Sequence, residues 1–144
     1  MAAKTLKASL LVVAFLVLGC NSTSEPTKTF NLCVHVLGAP FVPGSTGDQC
    51  VVPQLMRAGT SRTVEIEADM LSGAARTGTI AIEFAPNGWT VSLGGMSIDV
   101  PGKQTLTMDV PSSAIPGDYQ IAVRVTSEGE QAILTFTIGV SAPI

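Results

Sequence analysis

The feature that most constrains the fold of this chain is a hydropathy period of two that recurs between residues 30 and 140. Phe30, Leu32, Val34 and Val36 alternate with Asn31, Cys33 and His35. Val64, Ile66, Ala68 and Met70 alternate with Glu65, Glu67 and Asp69. The pattern returns over Ile80–Phe84, Trp89–Leu93, Met96–Val100, Leu106–Val110, Tyr119–Val125 and Leu134–Val140. Successive side chains of a strand point to opposite faces, so each run presents one apolar and one mostly polar face. Turn residues separate the runs, among them Ser72-Gly73, Pro86-Asn87-Gly88, Gly94-Gly95, Pro101-Gly102, Pro116-Gly117 and Glu128-Gly129. No sustained helical period follows residue 19. Seven to eight one-sided strands predict an all-β antiparallel sandwich of two sheets, with a closed barrel as the alternative.

The first 19 residues obey a different rule. Lys4 and Lys7 precede an apolar stretch, Ala8–Gly19, and the polar run Asn21-Ser22-Thr23-Ser24-Glu25 follows. Twelve residues are too few to cross a bilayer, which takes about 20, and the composition is that of an export signal. Val17-Leu18-Gly19-Cys20 closes it. These four residues resemble the lipobox of bacterial lipoproteins; an ordinary signal peptide that happens to end in cysteine is the alternative. The resemblance implies cleavage before Cys20, a thioether-linked diacylglycerol on its sulfur and a further acyl chain, such as palmitate, on the new amino group. One acyl chain gives only marginal membrane binding, on the order of 10⁴ M⁻¹, and several make it durable. It also implies a place in the bacterial cell envelope, at the outer membrane if the cell is Gram-negative, because Asn21 rather than Asp follows the cysteine. The expected organisation is signal 1–19, lipidated cysteine and tether 20–28, and a sandwich domain 29–144 with an N-terminal extension 29–54.

Removing residues 1–19 leaves 125 of the 144 residues, enough for one domain with its own core. Six basic residues then face eleven acidic ones, a formal charge of −5. That charge argues against nucleic acid and against an electrostatic hold on anionic lipid. With Cys20 taken by lipid, Cys33 and Cys50 form an even pair in an oxidising compartment. A Cys33–Cys50 disulfide would close a loop of about 18 residues and stabilise the fold by roughly 3 kcal/mol in the chain-entropy model. Two reduced buried thiols are the alternative. His35 lacks a second histidine, so no metal site is expected.

From about Leu55 to Val140 the chain resembles the Ig-like domain appended to bacterial alpha-galactosidases and found in many secreted proteins. The residues that carry the likeness are Gly59 with Thr63-Val64-Glu65-Ile66, then Ala85-Pro86-Asn87-Gly88-Trp89 and Val100-Pro101-Gly102, and above all Val110-Pro111-Ser112-Ser113-Ala114-Ile115-Pro116-Gly117-Asp118-Tyr119. The resemblance implies that Gly117 permits a tight turn and that Tyr119 forms a tyrosine corner, its hydroxyl bonding backbone just upstream. Residues 29–54 match nothing in that family.

No catalytic grouping emerges. His35 has no partner at motif spacing, no Gly-x-Ser-x-Gly occurs, and Gly94-Gly95 lacks the strand-to-helix setting of a phosphate loop. Glu65, Glu67 and Asp69 read as the solvated face of a sheet. Trp89 reads as core, although it is the one residue suited to stacking on a glycan. Phe41, between Pro40 and Pro43, is the aromatic least explained by a core and is the candidate for a partner contact. The expectation is therefore a non-enzymatic, cofactor-free envelope lipoprotein, held in the membrane through Cys20 and binding an envelope protein. A carbohydrate-binding accessory module is the alternative.

Overall fold

The computed structural model of the chain describes residues 27–37 and 54–144. Within them the alternating runs become nine strands: β1 Phe30–Val36, β2 Gln54–Arg57, β3 Ser61–Met70, β4 Arg76–Phe84, β5 Thr90–Leu93, β6 Ser97–Val100, β7 Gly102–Asp109, β8 Gly117–Ser127 and β9 Glu130–Ser141. They form a four-stranded sheet, β1-β3-β7-β5, and a five-stranded sheet, β2-β9-β8-β4-β6. This is an Ig-like β-sandwich. Every pairing is antiparallel except that of β2 with β9. Phe30, Ile66, Leu106, Ile121, Phe136 and Ile138 are fully buried between the sheets.

Three departures from the periodicity have local causes. β2 is a strand that alternation does not announce, because Gln54 and Met56 point inward while Leu55 is 74% exposed. Phe84 was expected on the apolar face of its strand; a bulge between Ile82 and Phe84 turns it outward, opposite Ala122, where it is 56% exposed. Met96 falls before β6 and is exposed, so the apolar face of that strand reduces to Ile98 and Val100.

The segment 29–54, unmatched by the family pattern, contributes an integral element. β1 pairs with β3 over its whole length, from Phe30 opposite Met70 to Val36 opposite Val64. β1 is thus an edge of one sheet and β2 an edge of the other. The expected positions Cys20, Phe41 and Cys50 lie outside the described residues.

Candidate functional site

At the end of the sandwich where β1 begins, three distant residues close on one another. The Thr29 amide donates to Glu130 Oε1 at 2.8 Å, and the Thr29 hydroxyl donates to Glu130 Oε2. The Thr29 carbonyl accepts from the amides of Leu71 (2.8 Å) and Ser72 (3.1 Å) in the β3–β4 turn. Arg76, whose side chain is 11% exposed, spans the same point. Its Nε donates to Ser127 Oγ at 3.0 Å, its NH2 reaches Thr29 Oγ1 and, at 3.2 Å, Glu130 Oε2, and its guanidinium lies 5.6 Å from the Phe30 ring centroid. The Thr29 hydroxyl holds the Glu130 carboxyl below its ordinary value; the Thr29 and Phe30 amides and Arg76 act in the same sense, against the effect of burial. Every polar group of Thr29 is engaged, so the chain is fixed one residue before its first strand. Sequence reasoning missed this node, since Thr29, Arg76 and Glu130 show no spacing signal.

The outer face of the four-stranded sheet carries Cys33, His35, Glu65 and Glu67. Cys33 is buried. His35 Nε2 lies 2.9 Å from Glu67 Oε2, and Lys103 Nζ lies 3.3 Å from Glu65 Oε2. The acidic row is therefore only partly a solvated face: Glu65 is ion-paired with Lys103 across strands, and Glu67 is buried against His35. Among the described residues no group of three or more His, Cys, Asp or Glu side chains is placed to hold a metal ion.

At the opposite end, Tyr119 opens β8 beside Gly117. Its hydroxyl donates to the Ile115 carbonyl at 2.7 Å, the contact of a tyrosine corner. Trp89 is half-buried against it, with ring centroids 5.0 Å apart and planes inclined by 43°. One face of the indole is thus covered by a neighbouring ring and the sandwich core.

The same end holds a groove of about 400 Å³ where the edge strand β2 turns into β3. Leu55 and Met56 supply its apolar wall, and Arg57, Thr60, Ser61, Arg62 and Ser141 its polar one. Gly59, at φ +80°, allows the turn, which closes through the Thr60 amide on the Arg57 carbonyl at 3.2 Å. The Thr60 hydroxyl donates to the same carbonyl at 2.7 Å, and Arg62 NH1 donates to Gln54 Oε1 at 3.4 Å. Arg76 and Arg124 are paired with carboxylates, Arg124 with Glu83. Among the described residues, neither Arg57 nor Arg62 meets one.

No family model and no curated protein matches this sequence. Solved structures similar to it include domains 4 and 5 of the S-layer protein SbsC, at 16% identity and a TM-score of 0.44, covering 62% of this chain and 47% of that one. A family 123 glycoside hydrolase from Clostridium perfringens, described for glycolipid glycan hydrolysis, is similar at 10% identity and a TM-score of 0.50, covering 81% of this chain and 28% of that one. A protein of unknown function from Porphyromonas gingivalis W83 is similar at 18% identity and a TM-score of 0.43, covering 62% and 45%. The chain spans less than half the length of each of these three proteins. At such identities the likeness concerns the fold alone.

Proposed function

We propose that this chain is a bacterial envelope lipoprotein, lipidated on Cys20, whose Ig-like sandwich is a non-catalytic module for binding or assembling with another envelope protein. The observation that carries the reading is the short interval between the Val17-Leu18-Gly19-Cys20 motif and the built domain. Nine residues separate Cys20 from Phe30, where β1 begins, and Thr29 is already tied to two turns of the sandwich. A lipid on Cys20 would hold the domain within about 33 Å of the bilayer surface, the reach of ten extended residues. A Cys33–Cys50 disulfide belongs to the same reading: with Cys20 occupied by lipid, Cys50 is the remaining partner for Cys33, whose burial suits a bonded cysteine.

Expression in a bacterium that processes lipoproteins, followed by detergent phase partitioning, tests the anchor. The wild-type chain is expected in the detergent phase, with an N-terminal mass shift corresponding to acylated Cys20. Cys20→Ala is expected in the aqueous phase. Retention of Cys20→Ala with detergent would refute the anchor.

A further inference from the structure

We propose that the groove between β2 and β3 binds a carboxylate-bearing segment of the partner protein, with Arg57 and Arg62 as the residues that recognise it. The assignment of the occupant to a protein rests on the binding-module reading above. In a chain whose mature charge is −5, cations without carboxylates are scarce. The structure shows where two of them go. Lys103, Arg76 and Arg124 each meet a glutamate, whereas Arg57 and Arg62, five positions apart, line one groove. Arg57 is exposed and no side chain or backbone acceptor holds its guanidinium among the described residues. Among the described residues the Arg62 guanidinium has one hydrogen bond, at 3.4 Å, to a neutral amide.

Two guanidinium forks with open donors suit planar oxyanions, which they bind through charge-assisted, often bidentate hydrogen bonds. The other wall of the groove decides among oxyanions. Leu55 is exposed beside the cations, and Met56 lines the floor. A peptide that alternates acidic and apolar side chains satisfies both walls, while a phosphate-rich polymer leaves Leu55 without a match. β2 is also an edge strand, so an extended segment can lie along it. The groove is at the start of β3, whereas Thr29 sits beyond its other end, one residue before Phe30, which pairs with Met70; nine residues of strand place them about 30 Å apart. The groove therefore stands away from the point where the chain enters the domain.

Fluorescence anisotropy with a fluorescein-labelled hexapeptide of alternating Glu and Leu tests this, using the full mature chain in detergent micelles. The Glu peptide is expected to bind and its Gln-for-Glu counterpart to bind at least about tenfold more weakly. Arg57→Gln combined with Arg62→Gln is expected to weaken the Glu peptide by about tenfold or more, and raised salt to weaken it further. Lys103→Gln, on the four-stranded sheet, is expected to leave binding unchanged. Unaltered urea midpoints for the arginine variants establish that they fold. Equal binding of the two peptides, or no effect of the double substitution, would overturn the proposal. Displacement of the peptide by inorganic phosphate at lower concentration than by free glutamate peptide would overturn the peptide assignment in favour of phosphate. The anchor is read separately: Cys20→Ala that still binds the Glu peptide but leaves the detergent phase separates the two claims.

Discussion

At the scale of single residues, Glu130 connects the entry of the chain to the body of the sandwich. Its carboxylate accepts from the amide and hydroxyl of Thr29 and faces Arg76. These contacts favour the charged form, so the folded pKa lies below the unfolded value of about 4.5. A group depressed in this way stabilises the fold above its unfolded pKa, and that contribution is lost as pH falls through the folded one. Equilibrium urea unfolding should therefore find wild type more stable than Glu130→Gln near neutral pH, with the gap narrowing below about pH 4. A gap of the same size at both ends of that range would remove Glu130 from the account. The node was illegible beforehand because charge and hydroxyl residues 47 to 101 positions apart reveal their meeting only after two sheets have formed. Tyr119 was legible through the resemblance of the Pro116-Gly117-Asp118-Tyr119 run to Ig-like domains, which implies a hydroxyl bonding backbone just upstream; it bonds the Ile115 carbonyl, four residues back.

At the scale of elements, the β8–β9 hairpin turns on Glu128 and Gly129, whose φ angles are +51° and +81°. Two successive positive φ values make a two-residue hairpin turn whose twist matches that of its strands. A side chain at Gly129 must accept the left-handed region, so Gly129→Ala should lower stability by about 1–2 kcal/mol. No heavy atom lies within 4 Å of the added Cβ, so the cost is conformational rather than steric. A loss below about 0.3 kcal/mol in urea unfolding would mean that the turn adjusts freely. At the other end, Tyr119→Phe keeps the ring against Trp89 and deletes only the hydroxyl bond to Ile115, for an expected loss of about 1 kcal/mol. Eight of the elements followed from alternation because each has its apolar residues on one face. β2 did not, since it is four residues long and buries Gln54 while exposing Leu55. Its position comes from a long-range parallel pairing with Ile138–Ser141, which no local pattern encodes. Phe84 was misplaced for a related reason: a bulge shifts the register by one residue, and a period of two has no memory of such a shift.

At the scale of the molecule, the first two strands sit on edges of different sheets, with residues 37–53 between them. Edge strands are the least restrained parts of a sandwich, since each has one neighbour. Cys33 lies at the middle of β1, and Cys50 precedes β2 by four residues in the sequence. A bond between them would therefore join the two edges by a covalent link in addition to their separate ladders. Closing 18 residues removes entropy from the unfolded chain worth roughly 3 kcal/mol, a large part of the 5–15 kcal/mol typical of a domain. Mass spectrometry after alkylation reads the pairing directly. Unreduced mature protein is expected to take up no alkyl group, and reduced, denatured protein to take up two, on Cys33 and Cys50, with Cys20 blocked by its thioether. Urea unfolding of Cys33→Ser combined with Cys50→Ser should then fall short of wild type by about 3 kcal/mol. Alkylation of Cys33 without prior reduction would contradict the bond. Labelling of Cys20 in the reduced sample would contradict the lipid instead, so one measurement separates the two uses of cysteine in this chain.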